Sequence, residues 1–437
     1  MSRFFTPLAA ILAVVVLATS GARAAVGIEA HTSPAGHDYW LVQEHSIPIV
    51  AIEIGFANGG WADPEGKEGL TRFTMSLMHD GAGEYDAVAF EQRQDEISAR
   101  FGFGGGRDGV SASARFLKET LDESIALFAL AMTDPRFDAD AIERTRAQTL
   151  SGIAQSKTQP SSIAGRAWYA QAYAGHPYGR TSRGTEESIS SITVEDLRAA
   201  HRRLLIQDGT VVSIVGAVTP EEAGQIVDGL ISKLPTGETP VLEVRTEAPP
   251  ADLTVIEEDV PQSIAIFGQA GLPRTDPDYV AAVVMNHILG GGGFSSWLTE
   301  EVREKRGLAY SVGTSMRANE GGALILGSVQ TENARISESL DVIREQWRRM
   351  AEGGVTEEEL VAAKTYLTGS FPLGFDSNAK IANYLVFAQE KNLGIDYINQ
   401  RNGLIEAVTL EDVHRVAARL LKPEELSIVV VGQPKGL

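Results

Sequence analysis

The chain of 437 residues contains no cysteine. This absence excludes disulfide bonds, a thiol nucleophile and a thiolate-bound metal. Positive charge is also scarce, because 38 lysines and arginines face 58 aspartates and glutamates, for a net charge of −20. Such a deficit argues against nucleic acid as a partner, since phosphates are bound by clusters of basic side chains. The negative charge could attract basic peptides or simply keep the protein soluble.

A long apolar run occurs only near the N-terminus. Residues 1–24 begin with a positive charge at Arg3, continue with an apolar stretch and end in Ala22-Arg23-Ala24. This order matches a secretory signal peptide, and the stretch is too short to span a bilayer comfortably. We therefore expect an exported protein, located in the periplasm, without a membrane span. Without Arg3 and Arg23, 36 basic residues remain against 58 acidic ones, a net charge of −22.

The length of the chain suggests more than one domain, because about 400 mature residues exceed what one hydrophobic core usually organises. The best boundary is a linker at residues 235–253, where five residues interrupt any regular period: Pro235, Gly237, Pro240, Pro249 and Pro250. We therefore predict an N-terminal domain over residues 25–234 and a C-terminal domain over residues 254–437.

The two halves repeat one pattern at an offset of 216 residues (409 − 193). Residues 193–216 and 409–432 each start with threonine, continue through an Arg-Leu-Leu triplet and close with an apolar run that ends at glycine. Each copy predicts an amphipathic helix capped by Thr193 or Thr409, followed by a buried strand. The simplest explanation is two homologous domains joined by the linker.

Further elements recur in both halves. Residues 90–100 predict a helix that leads through a glycine-rich turn over 102–109 to a strand over 110–116. In the second half we predict a corresponding helix over 296–306, ended by Gly307. Four apolar residues around this helix recur at helical spacing and predict one buried face: Phe294, Trp297, Leu298 and Val302.

Several motifs, in this order and spacing, resemble the pitrilysin/insulinase family of peptidases over essentially the whole mature chain. They are GLTRFTMS at 69–76, DPRF at 134–137, GHPYG at 175–179, GTEES at 184–188, residues 290–312 and GVTEEEL at 354–360. The resemblance implies an α+β fold of two homologous domains, each a mostly antiparallel β-sheet packed with helices. Together the domains would form half of a clamshell that encloses the substrate.

Active members of that family carry an inverted zinc motif, His-x-x-Glu-His, in which the glutamate activates water. The resemblance places these positions at Arg72, Met75 and Ser76. A permanent cation, a thioether and a neutral hydroxyl cannot replace two imidazoles and a carboxylate. The family's third ligand, a glutamate, would fall near Gly152 or Ile153, where no carboxylate occurs between residues 145 and 160.

The second half keeps the residues that the family uses there. The resemblance assigns Arg303 and Tyr310 as the catalytic pair that acts on the carbonyl oxygen of the scissile bond, where negative charge develops in the transition state. Without the resemblance, the six charges within residues 300–306 are typical of a solvated helix face.

Other motifs predict no additional site. Gly104, Gly106 and Gly109 satisfy G-x-G-x-x-G, but a polar helix precedes them and the strand of a dinucleotide site is missing. The eight histidines include no pair four residues apart, and His79-Asp80 is typical of a capping or surface pair. We therefore expect no metal in this chain. The strand over 110–116 is predicted to be an edge strand, either pairing with an extended substrate, as in the family, or serving no such role.

Three functions fit these observations. The first is a subunit of a heterodimeric zinc metallopeptidase, which has no zinc of its own and supplies Arg303 and Tyr310 to a homologous partner that holds the zinc. The second is a scaffold or peptide-binding homologue without catalytic function. The third is a self-sufficient zinc protease, which requires about one bound zinc per chain.

Overall fold

The computed structural model describes residues 26–437, so the predicted signal peptide lies outside the described residues. Within this range, no helix combines the length and apolar character needed to cross a membrane.

The first half of the chain builds a six-stranded sheet and a small separate ribbon. Its strands are β1 (Glu29–Thr32), β2 (Asp38–Gln43), β3 (Ile49–Phe56), β4 (Gly81–Ala82), β5 (Tyr85–Asp86), β6 (Arg100–Gly105), β7 (Val110–Leu117) and β8 (Val211–Gly216). The sheet has the order β1-β2-β8-β3-β7-β6, and β4 and β5 pair with each other outside it. The helices of this half are α1 (Leu70–Leu77), α2 (Ala87–Glu96), α3 (Leu121–Thr133), α4 (Ala139–Lys157), α5 (Pro160–Ala172), α6 (Glu186–Ser191), α7 (Val194–Leu204) and α8 (Pro220–Ile231).

The second half builds a five-stranded sheet. Its strands are β9 (Leu253–Glu257), β10 (Gln262–Ala270), β11 (Ala309–Asn319), β12 (Gly322–Glu332) and β13 (Ser427–Gly432), in the order β11-β12-β10-β13-β9. Its helices are α9 (Tyr279–Asn286), α10 (Ile336–Ala351), α11 (Glu357–Ser370), α12 (Asn378–Glu390), α13 (Tyr397–Ala407) and α14 (Leu410–Leu420). In the two large sheets only β2 with β8 and β13 with β9 pair in parallel. The predicted α+β fold with mostly antiparallel sheets is therefore confirmed.

The repeated pattern has the predicted local structure in both copies. The hydroxyl of Thr193 accepts a hydrogen bond from the backbone N–H of Asp196 at the start of α7, and Thr409 does the same with Asp412 at the start of α14. In each case the aspartate also accepts from the backbone N–H of the threonine, which completes a capping box. The buried strands β8 and β13 follow these helices and end at glycine, as predicted.

One helix from each half packs on the sheet of the other half. Helix α5 contacts β10 and β13 of the second sheet, whereas α12 contacts β3 and β8 of the first. The fully buried Trp168 of α5 lies in a cluster with Val429 and Val431, and Leu385 of α12 lies in a cluster with Val215. The boundary at 235–253 remains a prediction, and the core on either side of it is completed by the opposite half.

The predicted strand over 110–116 is present but is not an edge strand, and the predicted glycine-rich turn at 102–109 is confined to residues 106–109. Residues 100–105 form β6, which is itself the edge of the first sheet, while β7 lies between β3 and β6. Glycine disfavours strands, but here the alternating Phe101 and Phe103 pack against Phe128. A Cβ atom at Gly102 would come within 2.6 Å of the Ser113 hydroxyl, so the glycines fit the small side chains opposite.

The predicted helix over residues 296–306 is only partly regular. Residues Thr299–Glu304 are π-helical, and the N–H of Lys305 donates to the carbonyl of Glu300, five residues back. This wider turn is not indicated by a 3.6-residue period. The segment ends as predicted at Gly307, which has a φ of +56° and donates its N–H to the carbonyl of Arg303, the hydrogen bond of an αL C-cap.

Candidate functional site

Helix α1, which carries the three positions of the inverted zinc motif, is anchored at its first turn. The buried carboxylate of Asp63 accepts from the backbone N–H of Thr71 at 3.1 Å and from its hydroxyl at 2.6 Å. Arg203 of α7 donates to the same carboxylate at 2.9 Å. Strand β6 packs against the helix so closely that a Cβ atom at Gly105 would come within 2.9 Å of Cα of Arg72. The helix is therefore held between β6 and α7.

The side chains at the motif positions of α1 do not fit a zinc ion. Arg72 and Ser76 lie on the exposed side of the helix and Met75 is fully buried. The Ser76 hydroxyl donates to the carbonyl of Phe73 at 2.8 Å, so the backbone already uses it. Gly152 and Ile153 lie in α4 and offer no ligand atom. Across residues 26–437, no three His, Cys, Asp or Glu side chains form a group that could hold a metal ion.

Those histidines that are buried or stacked on aromatic rings have structural contacts. The ring of His201 is buried and its Nε2 lies 2.8 Å from the carbonyl oxygen of Met132. Burial lowers the pKa of His201, which favours the neutral ring. His79 lies edge-on against Phe103, and His287 stacks on Tyr366. These imidazoles are distributed over both halves of the molecule.

The structure brings Arg303 and Tyr310 together. The guanidinium carbon of Arg303 lies 4.8 Å from the centre of the Tyr310 ring and 4.7 Å from the centre of the Phe294 ring. These are distances at which a cation interacts favourably with an aromatic face. The arginine also forms an ion pair with its neighbour Glu304, from Nε to Oε1, at 3.3 Å. We call Phe294, Arg303 and Tyr310 the arginine–aromatic platform.

A β-bulge sets the direction of Tyr310. Ala309 pairs with Thr331 and Ser311 pairs with Gln330, so Tyr310 is the extra residue at the start of edge strand β11. A bulge leaves its extra residue outside the regular alternation of the strand. The side chain of Tyr310 is accordingly 83% exposed, which makes it one of the most exposed large side chains among the described residues.

The charged residues beneath the platform neutralise one another. Glu301 is buried and accepts hydrogen bonds from Lys305 at 2.7 Å and from Arg306. Burial by itself would raise the pKa of Glu301, but the bonds from these two cations outweigh it and lower the pKa. Residues 300–306 are therefore only partly a solvated helix face, because Glu301 is buried.

The sequence identified two members of the platform and misplaced the third. Trp297, Leu298 and Val302 are buried as predicted, but Phe294 is 75% exposed. It lies in a 3₁₀ turn, Gly293–Ser295, before the helical segment begins, so the helical period does not apply to it. The sequence indicates the exposed position of Phe294 only through the four glycines that directly precede it. Among residues 26–437, no hydrogen bond or ion pair joins the platform to α1.

Two family models match adjacent parts of the chain. Residues 40–186 match the model described as insulinase (peptidase family M16), and residues 191–367 match the model described as peptidase M16 inactive domain. The chain belongs to the insulinase family of peptidases. The resemblance inferred from the motifs is thereby confirmed, and the residues at the zinc-motif positions make this chain a member that lacks the motif.

The chain is also similar to complete relatives of comparable length. It is 24% identical over 401 residues to the non-peptidase homolog YmxG of Helicobacter pylori, covering 90% of this chain and 91% of that protein. It is 28% identical over 403 residues to an uncharacterized zinc protease of Mycobacterium leprae, covering 87% of each chain. The crystal structure of a peptidase M16 inactive domain from Pseudomonas fluorescens has a TM-score of 0.88 and 29% identity, covering 93% of this chain and 98% of that one.

Proposed function

We propose that this chain is the subunit without zinc of a two-chain metallopeptidase, and that it contributes Arg303 and Tyr310 to an active site completed by a homologous partner. The observation that carries the proposal is the platform, in which a cation stacked between two aromatic rings lies beside a phenol that is 83% exposed. A phenol donor next to a guanidinium can stabilise negative charge on a carbonyl oxygen. The chain itself offers no water-activating group at α1.

The proposed partner is a homologous chain that carries His-x-x-Glu-His and binds the zinc. The two chains would enclose a peptide between them, and both would be exported to the periplasm by their signal peptides. Metal analysis should find zinc in the partner and none in this chain. Cell fractionation should recover this chain in the periplasm without residues 1–24.

The kinetic test uses the purified complex and a set of quenched fluorescent peptides. Tyr310→Phe removes only the hydroxyl and keeps the ring on Arg303. The loss of this donor should cost about 3 kcal/mol of transition-state stabilisation, so kcat should fall roughly a hundredfold. Arg303→Ala should lower kcat at least as far. The control is Arg317→Ala, an exposed arginine on the same strand, which should change nothing. Full activity of the partner alone, or of the Tyr310→Phe complex, would refute the proposal.

A second candidate function is a homologue without catalytic role that binds peptides or a partner protein. It is favoured by the likeness to the non-peptidase homolog YmxG and by the match to the inactive-domain model. On this alternative the complex would form and bind peptides, but Tyr310→Phe would leave every hydrolysis rate unchanged. The same kinetic experiment therefore separates the two functions.

A further inference from the structure

A cavity of about 470 Å³ lies in the second half, and none of the platform residues lines it. It is bounded by edge strand β11 and by helices α9, α12 and α13. We call it the arginine–tyrosine cavity after the residues that define it: Arg274, Tyr279, Tyr384, Tyr397 and Arg401. Its volume falls within the range of cavities that bind small organic molecules, about 300–1,000 Å³.

The charge of this cavity is opposite to that of the protein. Two arginines line it and, of the residues the structure describes, no aspartate or glutamate does. The whole chain carries a net charge of −20. A positive cavity with no acidic side chain in its wall, in so acidic a protein, favours an anionic occupant.

Among the described residues, no acidic side chain forms a salt bridge with Arg274. Its guanidinium lies between the rings of Tyr279 and Phe387, at 5.1 and 4.7 Å from their centres, and its buried Nε has no hydrogen-bond partner. The acids that follow it in sequence, Asp276 and Asp278, are bound instead by Arg415 and Arg419. Buried donors usually have a partner, so this N–H is available to an acceptor that enters the cavity.

Arg401 also lines the cavity and is bonded only to neutral acceptors. Its guanidinium stacks on Phe371 at 4.3 Å and donates to the carbonyl of Leu367 at 2.9 Å and to the amide oxygen of Asn402 at 3.2 Å. These bonds fix the side chain but leave its positive charge unpaired. The Arg401 side chain is therefore already held in place before any ligand enters.

The remaining wall is aromatic with polar ends. The ring of Tyr384 packs on Phe371, Phe375 and Phe387, with ring centres 5.6, 5.0 and 5.6 Å away. Burial raises the pKa of Tyr384 above its usual range, so its hydroxyl stays protonated and can donate a hydrogen bond to an acceptor. The cavity thus combines an apolar surface with hydrogen-bond donors and two cations.

We propose that the arginine–tyrosine cavity binds a small organic carboxylate with an apolar or aromatic body. The carboxylate would accept from Arg274 and Arg401, and the body would lie against the rings of Tyr384 and Phe371. Arginine suits this role because its planar donors match the two oxygens of a carboxylate. The proposal requires neither a partner subunit nor peptidase activity.

The direct test is isothermal titration calorimetry on the full-length mature chain at neutral pH, with N-acetylphenylalanine as the probe. The matched comparison is its neutral amide, which has the same body without the charge. We expect the acid to bind and the amide to bind at least tenfold more weakly. Equal affinities, or no binding of the acid in the millimolar range, would overturn the proposal.

A second measurement uses variants of the arginines. Arg274→Met keeps most of the apolar length and removes the charge, so it should weaken binding of the acid at least tenfold. Arg317→Met, on the exposed side of β11, is the control and should bind normally. If Arg274→Met is unstable by circular dichroism, the acid and amide comparison on the unmodified chain still decides. Unchanged binding to a folded Arg274→Met variant would contradict the proposal.

Discussion

The indole N–H of Trp168 donates to the backbone carbonyl of Ser427 at 3.0 Å, across 259 residues of sequence. Trp168 belongs to a helix of the first half and Ser427 to a strand of the second sheet. A second contact nearby, from the Gln171 amide to the Ser427 hydroxyl at 2.9 Å, strengthens the same junction. The two halves are therefore joined through a buried core as well as through the linker.

The first prediction concerns this junction. Trp168→Ala should lower the free energy of unfolding by about 3–5 kcal/mol, because a fully buried aromatic side chain is replaced by a cavity. Phe294→Ala is the matched control, since removal of an exposed ring should change stability by no more than about 0.5 kcal/mol. Denaturation in guanidinium chloride measures both. A loss confined to the second half, with the first half still folded, would show that the junction is weaker than its burial indicates.

The second prediction concerns the linker. Residues 235–253 form no helix and almost no strand, and Val241 is 93% exposed, so limited proteolysis should cut here first. We expect the two fragments to stay associated on gel filtration without denaturant, because α5 and α12 each pack on the opposite sheet. Fragments that separate and stay folded would disprove this account of the core.

The third prediction concerns pH. Burial raises the pKa of Glu53, in β3, from its ordinary value of 4.5 to about 7, and the nearby charge of Glu390 adds to the effect. The folded chain therefore binds a proton that the unfolded chain releases, and the free energy of unfolding should fall as pH rises from 4.5 through 7. A pKa difference of this size corresponds to about 3 kcal/mol.

Glu53→Gln tests this prediction because it keeps the shape and removes the ionisation. The variant should be more stable than the parent above pH 7 and should lose this part of the pH dependence. Glu119→Gln, at an exposed position, should leave the curve unchanged. Chemical denaturation at several pH values between 4 and 8 measures the free energy of unfolding. If the curve of this free energy against pH runs parallel for Glu53→Gln and the parent, the prediction is wrong.

The fourth prediction uses the repeat. Thr193→Ala and Thr409→Ala each remove the side chain that caps a helix, and each should cost about 1 kcal/mol of stability. Thr193→Ser and Thr409→Ser keep the hydroxyl and should cost much less. Thermal denaturation of the four variants measures this. Very different losses at the two positions would mean that the homologous caps do not contribute equally.

The sequence was sufficient where short-range chemistry decides the structure. The caps at Thr193 and Thr409 are predictable because a threonine directly before an amphipathic segment can accept from the free backbone N–H groups of the first helical turn. The pairing of Arg303 with Tyr310 was expected from the family resemblance, since seven residues of irregular chain do not by themselves define a distance.

The errors came from positions where tertiary contacts decide. The glycines of β6 are typical of a turn, but its phenylalanines pack against α3, which lies later in the chain. Phe294 fits the helical spacing of the buried residues but lies in a 3₁₀ turn before the helix, so the spacing does not predict its exposure. The sequence carries no signal for the position of Arg274, since the rings that hold it come from α9 and α12, more than a hundred residues apart.

The packing of α5 and α12 on the sheet of the opposite half also constrains how the chain can fold. The face of β3 and β8 that α12 covers is complete only after residue 390 has been synthesised, although both strands are available by residue 216. Contacts so distant in sequence form slowly, since loop closure has to precede them. The first half should therefore spend time as an open intermediate with uncovered apolar surface, which makes it a natural client for a chaperone until the C-terminal helices arrive.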